Sequence, residues 1–299
     1  MSEVFNNKQM SGWAALLSDA AQIPFDRMKI LDNVRNECNV LPAIEMNQYV
    51  LLFTDGRDRS LYYDIWEAGH AGCDVFIGYG LEPGSRYEKK KISELIDDDV
   101  TGPTVLLIYN QNAHESYKIG IENDAFARGP IHYVGNEIRA VIMTMMGVDS
   151  EDRLLLVSAE SIVIEAAMMA QEGAIIAVEP DRGSEASMRE NVEKFGVRNV
   201  HIVTDVHEDT LKDLPAPRLS FIVATEELED QIRDLLKKNS HMSFIIYTLD
   251  LNVLSNMKAI FERQGIKNMR VTQITVAKTG KDSSFVTQPT PWLISGSRG

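Results

Sequence analysis

The chain has 299 residues, 44% of them hydrophobic and 25% charged, which is typical of a globular protein with room for two domains. Its formal net charge of −14 at pH 7 argues against nucleic acid or an anionic membrane as a main partner, because phosphate groups bind to clustered Lys and Arg. No apolar run reaches the roughly 18 residues of a membrane span, and the sequence opens without a signal-peptide pattern. Cys38 and Cys73 lack metal-ligand spacing, so we predict a reduced, cytoplasmic protein without a metal site.

The first half of the sequence alternates between strand and helix patterns. Apolar runs rich in β-branched and aromatic residues predict strands over 49–54, 73–79 and 104–109. Helical patterns cover 11–20, 58–70 and 91–96. This alternation predicts an α/β layer, and we assign a smaller α/β domain to 1–125. The polar, turn-rich segment 111–131 is the predicted linker.

The alternation continues more regularly in the second half, which we assign to a domain over 126–299. Predicted strands cover 153–157, 174–178, 200–204, 219–224 and 243–249. Predicted helices cover 136–147, 161–172, 184–195, 226–238 and 251–264. Two last strands, 269–277 and 291–295, are joined by a Gly/Ser/Thr-rich loop. Five β–α steps and a terminal β-hairpin predict a Rossmann-like class I methyltransferase fold, a mostly parallel sheet with its ligand at the carboxyl ends of the strands.

The turn after the first of these strands is the expected cofactor loop. In this fold the strand runs into a Gly-x-Gly-x-Gly turn, whose glycines let the backbone approach the methionine part and the adenosine of S-adenosylmethionine. Here residues 154–161 read Leu-Leu-Leu-Val-Ser-Ala-Glu-Ser, with no glycine. The candidate cofactor contacts are Ser158, Ala159, Glu160 and Ser161, although the carboxylate of Glu160 repels that of the cofactor unless a basic group compensates.

Acidic residues follow the second and third strands. Glu179 stands where an acidic residue usually accepts hydrogen bonds from both ribose hydroxyls. The alternative is an exposed Glu before a Pro turn, with Asp181 as the helix cap. Asp205 matches the position of an adenine contact, but in so acidic a segment a chance match is the favoured alternative. His207 has no Cys or paired carboxylate at ligand spacing, so we interpret it as a surface residue, and no catalytic residue is identified.

A set of short segments carries a family resemblance across 124–299. They are Asp-Ala-Phe-Ala-Arg-Gly at 124–129, Asn-Glu-Ile-Arg-Ala-Val at 136–141, Ile-Glu-Ala-Ala at 164–167, Ala-Val-Glu-Pro-Asp at 177–181, Asn-Val-Glu-Lys-Phe-Gly-Val-Arg-Asn-Val at 191–200, Leu-Pro-Ala-Pro at 214–217 and Pro-Trp-Leu-Ile-Ser-Gly at 291–296. These segments resemble the bifunctional precorrin-6Y C5,15-methyltransferase (decarboxylating) family of cobalamin biosynthesis. In that family a tetrapyrrole-methylase module is fused to a class I methyltransferase module.

The first half is similar to only the latter part of the family's tetrapyrrole-methylase module. The similar segments are 22–26, 52–56 and 104–109. We therefore expect a truncated half-module, without the opening strand of the module and its Gly-x-Gly-Pro-Gly loop. The resemblance implies S-adenosylmethionine as the cofactor, a tetrapyrrole-like small molecule as the substrate and a homo-oligomer as the assembly.

Departures from the family pattern leave two functions open. The glycine loop is shortened and without glycine at 156–161, the Met-Thr-Lys before the first helix is Tyr-Val-Gly at 133–135, and the Gly-Gly after the fourth strand is Ala-Thr at 224–225. The first hypothesis is a diverged S-adenosylmethionine-dependent methyltransferase of corrinoid synthesis. The alternative is a pseudoenzyme, a non-catalytic or repurposed fold that binds a partner protein or another ligand.

Overall fold

The computed structural model describes residues 5–35, 38–84, 86–98, 101–113, 119–129, 134–279 and 284–298. The chain forms two compact units, one of residues 1–117 with 195–198 and the other of residues 118–194 with 199–299. Within the described ranges, no helix is both long enough and apolar enough to cross a membrane.

A five-stranded sheet forms the centre of the first unit. Its strands are β1 (Lys29–Asp32), β2 (Tyr49–Thr54), β3 (Asp74–Tyr79), β4 (Tyr87–Lys91) and β5 (Thr104–Tyr109), in the order β1-β2-β5-β3-β4. β1 and β2 are parallel, and the other neighbouring strands are antiparallel. The helices are α1 (Asn7–Ala21), α2 (Val40–Met46) and α3 (Leu61–Ile65), the last continued by a π-helical turn at Trp66–His70.

The central strands β2 and β5 are apolar along most of their length because both faces of the sheet are covered. Leu52 and Leu106 belong to the hydrophobic core on one side of the sheet. Leu51 and Leu107 belong to the core on the other side, where Trp13 of α1 packs. Burial on both faces explains why these runs lack a polar alternation.

Two parts of the first unit differ from the sequence-based expectation. The segment 91–96, predicted as a helix, contains the end of β4 and then only a 3-10 turn over Ile92–Glu94. Among the described residues, β4 pairs with β3 alone and exposes Lys89 and Lys91, as is typical of an edge strand. The sequence does not predict β1 or α2, because a strand of 4 residues and a helix of 7 residues are too short for a periodic signal.

A seven-stranded sheet forms the centre of the second unit. Its strands are β6 (Arg153–Val157), β7 (Ala174–Val178), β8 (Val200–Val203), β9 (Leu219–Val223), β10 (Ser243–Thr248), β11 (Lys267–Gln273) and β14 (Trp292–Ser297). A separate two-stranded hairpin consists of β12 (Ala277–Thr279) and β13 (Phe285–Thr287). The helices are α4 (Asn136–Met146), α5 (Ser161–Met169), α6 (Arg182–Lys194), α7 (Glu208–Leu211), α8 (Leu228–Lys238) and α9 (Leu251–Arg263).

The order of the larger sheet is β11-β14-β10-β9-β6-β7-β8. The five strands from β10 to β8 are parallel, whereas β14 is antiparallel to both β10 and β11. This arrangement confirms the predicted Rossmann-like fold, a mostly parallel sheet with an antiparallel pair at one edge. Since β6 is the middle of the five parallel strands, the turn that follows it lies at the centre of the row formed by their carboxyl ends.

The connection between β11 and β14 is not the plain loop that the sequence predicts. It contains the β12–β13 hairpin, in which Ala277 pairs with Thr287 and Thr279 with Phe285. Both strands are exposed along their length, so they show no buried face that a pattern could reveal. Of the predicted linker, 119–129 is described as part of the second unit, while 114–118 and 130–131 lie outside the described residues, as does Tyr133.

Candidate functional site

A cleft of about 590 Å³ opens at the carboxyl ends of the parallel strands in the second unit. Val157 and Ser158 line it after β6, and Val178 and Pro180 line it after β7. The turns after β8 and β9 and the first turns of α8 complete the wall. The cleft therefore lies where a parallel sheet places its ligand.

Acidic side chains dominate the wall of the cleft. The five carboxyl groups that line it belong to Asp205, Glu226, Glu227, Asp230 and Asp234. Arg233 pairs with Asp230 and Lys237 with Asp234, each at 2.7 Å. Neither of these cations, nor any other Lys or Arg, lines the cleft in the described part of the chain. A ligand rich in carboxylates therefore finds no positively charged partner here.

The turn from β6 into α5 has a left-handed backbone without glycine. Ser158 has a φ of 53°, and Glu160 has a φ of 38° with a ψ of −110°. Residues with a Cβ adopt such angles at a cost on the order of 1–3 kcal/mol, whereas glycine adopts them freely. Ser158 lines the cleft, while Ala159 and Ser161 are buried. Ser158 and Glu160 thus occupy backbone positions that favour glycine.

Glu160 and Glu179 form a pair of buried carboxyl groups beside this turn. Glu160 is 7% exposed and Glu179 is 0% exposed, and the carboxyl group of Glu160 has no hydrogen-bond partner among the described residues. Burial raises the pKa of Glu160 to about 7. Burial first, and then the neighbouring charge of Glu160, raises the pKa of Glu179 to about 7 as well, although a hydrogen bond from the main-chain N–H of Glu160 acts to lower it. The two side chains therefore hold protons at pH values where an ordinary Glu is ionised.

Glu179 lies at the end of β7 but not at the surface. Its main-chain N–H donates to the carbonyl of Val203 in β8 at 2.8 Å, which fixes the residue at the strand end. The alternative of an exposed Glu before the Pro turn is wrong, because the side chain is fully buried. Asp181 does cap α6, since its Oδ1 accepts from the main-chain N–H groups of Gly183 and Ser184 at 2.8 and 3.0 Å. Contact of Glu179 with a ribose remains a prediction.

A buried ion pair anchors the far end of the turn. Arg139 Nε of α4 donates to Glu165 Oε1 of α5 at 2.6 Å, and both side chains are 0% exposed. Arg139 Nη1 also donates to the Oγ of Ser161, the first residue of α5, at 3.1 Å. Glu165 Oε1 further accepts from the main-chain N–H groups of Gly120 and Ile121. Sequence reasoning missed this pair, although both partners lie in segments that carry the family resemblance.

Asp205 is engaged within its own turn. Its Oδ1 accepts from Thr210 Oγ1 at 2.6 Å and from the main-chain N–H of His207 at 2.9 Å, and its Oδ2 accepts from Thr204 Oγ1 at 3.1 Å. Burial acts to raise the pKa of Asp205, but these hydrogen bonds outweigh it and lower the pKa. The contacts favour a structural role over the adenine contact. The His207 side chain beside it is 73% exposed, with Nδ1 3.5 Å from Asp234 Oδ2.

We expect Asp205→Ala to lower the free energy of unfolding by about 1 kcal/mol, because the hydrogen bonds that hold this turn are lost. Urea unfolding followed by circular dichroism measures the change. Glu226→Ala is the matched control, since it removes the same charge from the cleft wall at a side chain that has no hydrogen bond to the described residues. It should change stability by less than about 0.5 kcal/mol. Equal losses in the two variants would contradict the structural role of Asp205.

Residues 131–292 match the family model of the precorrin methyltransferase domain. The chain belongs to this family. It is similar to the solved structure of precorrin-6Y C5,15-methyltransferase from Geobacter metallireducens GS-15, with 26% identity and a TM-score of 0.57, over 62% of this chain and 100% of that chain. It also shares its fold with precorrin 8W decarboxylase from Methanobacterium thermoautotrophicum, with 17% identity and a TM-score of 0.53, over 59% of this chain and 98% of that chain. No curated protein matches the chain.

Membership of the precorrin methyltransferase family confirms the resemblance inferred from the segments of the second half. The chain is a methyltransferase-like protein that resembles the precorrin-6Y methyltransferase. The family match begins at residue 131, so it does not extend into 1–125. A truncated tetrapyrrole-methylase module in that part of the chain remains a prediction.

S-adenosylmethionine, the cofactor that the family resemblance implies, does not fit the described residues in the expected manner. Of the six candidate contacts, only Ser158 and Asp205 line the cleft. The buried remainder are Ala159, Glu160, Ser161 and Glu179. A ribose cannot donate hydrogen bonds to a carboxylate that is fully enclosed by protein. In the described part of the chain, no group of three or more His, Cys, Asp or Glu side chains is arranged to hold a metal ion.

Proposed function

We propose that this chain is a diverged, methyltransferase-like binding protein of the precorrin methyltransferase family. In this proposal the strand-end cleft binds a neutral or cationic small molecule, and the protein does not hold S-adenosylmethionine for methyl transfer while Glu160 stays buried. The observation that carries the proposal is the complete burial of Glu179 beside Glu160. Glu179, the residue predicted to bind the ribose, is thereby inaccessible to a ligand in the cleft.

The charge of the cleft supports the same proposal. A precorrin carries many carboxylates, whereas the lining contains five carboxyl groups and, among the described residues, no Lys or Arg. Bringing such a substrate into this cleft opposes like charges without a compensating cation. A neutral or positively charged ligand does not meet this repulsion.

Methyl transfer is the second candidate function, and two observations favour it. The chain belongs to a methyltransferase family, and Glu179 still stands at the end of β7, the position of a ribose-binding acid. This function requires the Glu160 side chain to leave its buried position before the cofactor binds. The two candidates therefore differ in what the chain does when S-adenosylmethionine is supplied.

Calorimetry on the full chain separates these two candidates. We expect no heat of binding and no thermal shift with S-adenosylmethionine or S-adenosylhomocysteine at millimolar concentration. A Kd below about 0.1 mM for either compound, or incorporation of a labelled methyl group into a tetrapyrrole acceptor, would overturn the proposal in favour of methyl transfer. Glu179→Gln is the control for any binding that is seen, because loss of binding in this variant locates the ligand at the strand end.

The remaining parts of the proposal concern the oligomeric state, the cellular location and the protein partners of the chain. We include a homo-oligomer, a cytoplasmic location and, for the non-catalytic function, a protein partner. The family resemblance supports the oligomer, and the acidic composition supports partners other than nucleic acid. Light scattering coupled to gel filtration measures the oligomer, and a single-chain mass near 33.5 kDa would contradict it.

A further inference from the structure

A second cavity, of about 540 Å³, opens in the first unit where the parallel strands β1 and β2 end. Three arginines line it: Arg35 after β1, Arg57 after β2, and Arg198 from the segment 195–198, which belongs to this unit. The cleft of the second unit has the opposite character, since five carboxyl groups line it. In a chain with a net charge of −14, a cavity lined by three arginines is a distinct feature.

Each of the three guanidinium groups is paired with a carboxylate of the same unit. The pairs are Arg35 with Asp32 at 3.1 Å, Arg57 with Asp55 at 2.8 Å and Arg198 with Asp58 at 2.6 Å. Arg35 Nη2 also donates to the carbonyl of Phe5 at 2.8 Å, and Arg57 Nη2 donates to that of Val34. A guanidinium has five N–H donors, so these contacts orient each group and leave donors for a ligand.

The same local arrangement follows both strands. Asp32 Oδ1 accepts from the main-chain N–H of Arg35, and Asp55 Oδ1 accepts from that of Arg57, each at 3.2 Å. Each acid therefore holds both the backbone and the guanidinium of its arginine. Asp32, the last residue of β1, is paired with Phe53 of β2, so the two turns lie side by side.

The carboxylates lie deeper than the arginines that they hold. The side chains of the three acids are between 5% and 17% exposed, whereas those of the three arginines are between 34% and 63% exposed. An anion that arrives from solvent therefore meets guanidinium groups first. Ion pairs with so exposed a cation stabilise a fold only weakly, so stability alone does not account for three of them around one cavity.

We propose that this cavity binds the phosphate group of a small organic phosphate. A phosphate carries close to two negative charges and three acceptor oxygens, which suit guanidinium groups that approach from three separate segments of the chain. A carboxylate has two oxygens, and the fork of a single arginine satisfies both. The cavity is large enough for a small molecule, so the phosphate is one part of the ligand. The inference goes beyond the proposed function, because it concerns another cavity and a ligand of negative charge.

The test is calorimetry on the full chain with phenyl phosphate, which joins a phosphate group to an uncharged ring. We expect a Kd below about 1 mM. Arg57→Met and Arg198→Met should each weaken binding at least about tenfold, because each removes hydrogen bonds to a charged group. Arg86→Met is the matched control, since Arg86 belongs to the same unit, pairs with Glu88 and is 65% exposed, but does not line the cavity. This variant should bind phenyl phosphate as the natural chain does. Benzoate, which carries a carboxylate on the same ring, should bind at least about tenfold more weakly than phenyl phosphate.

A natural chain that does not bind phenyl phosphate at millimolar concentration overturns the proposal. Equal weakening in Arg86→Met and Arg57→Met also overturns it, because the effect would then follow the net charge of the chain and not this cavity. Benzoate that binds as tightly as phenyl phosphate contradicts the assignment of a phosphate. If circular dichroism shows that Arg57→Met does not fold, Arg57→Lys takes its place. This variant keeps the charge but loses the planar fork, so it should still bind phenyl phosphate several-fold more weakly, and an unchanged affinity contradicts the site.

Discussion

Replacing Arg139 with Met is expected to lower the free energy of unfolding by roughly 3–5 kcal/mol, because the change leaves the buried carboxylate of Glu165 without its cation. Arg139 is fully buried and also donates to Ser161 Oγ, to Asn123 Oδ1 and to the carbonyl of Ile121. The loss should therefore loosen both α5 and the segment before α4. Urea unfolding of the full chain, followed by circular dichroism, measures the effect.

Two comparisons make this first expectation specific. The double variant Arg139→Met/Glu165→Leu should recover much of the lost stability, since it removes the isolated charge along with its partner. Arg263→Met breaks the more exposed pair with Glu229, whose Nη2–Oε2 distance is 2.6 Å, and should lower stability by at most about 1 kcal/mol. A loss for Arg139→Met no larger than that for Arg263→Met would show that the buried pair does not anchor the turn.

The second large effect is a fall in stability as the pH rises from 5 to 8. The pKa of Glu160 rises from 4.5 to about 7 on folding, and that of Glu179 rises likewise. Between these two pKa values the folded chain binds more protons than the unfolded chain. The stabilising contribution of each protonated group is therefore complete below the unfolded pKa and is lost as the pH rises through the folded pKa. The expected fall is on the order of 3 kcal/mol.

Thermal or urea unfolding at a series of pH values measures this slope. Glu160→Gln keeps the shape of the side chain but does not ionise, so it should flatten the profile and be more stable than the natural chain at pH 8. Glu226→Gln, at the cleft wall, is the matched control and should leave the slope in place. A natural chain that is equally stable at pH 5 and pH 8 would falsify the raised pKa of the pair.

The sequence predicts the parallel strands of the second unit well for a physical reason. β6 and β7 are buried on both faces, so Leu154 to Val157 and Ile175 to Val178 read as unbroken apolar runs. Five predicted strands, four of them followed by a helical pattern, leave few alternatives to a Rossmann-like sheet. The glycine-free turn after β6 and the acid after β7 are also visible in the sequence, so the position of the site could be predicted.

The internal arrangement of the site could not be predicted, because it depends on contacts between distant residues. Arg139 and Glu165 lie on different helices, and nothing in their spacing indicates that they meet. The inward direction of Glu160 follows from its positive φ, which a Glu adopts so rarely that no pattern would suggest it. Glu179 is fully buried, and the charge of Glu160 acts on it across the turn. Short elements such as β1 and the β12–β13 hairpin were missed because they bury too little to impose a period.

The left-handed turn at Glu160 bears on which substitutions can arise at this position during evolution. The backbone already follows a path that glycine adopts without strain, so the return of a glycine there requires no rearrangement of the fold. Both codons for Glu become codons for Gly through one change at the second base. A single base change is therefore enough to replace Glu160 with a glycine in this turn.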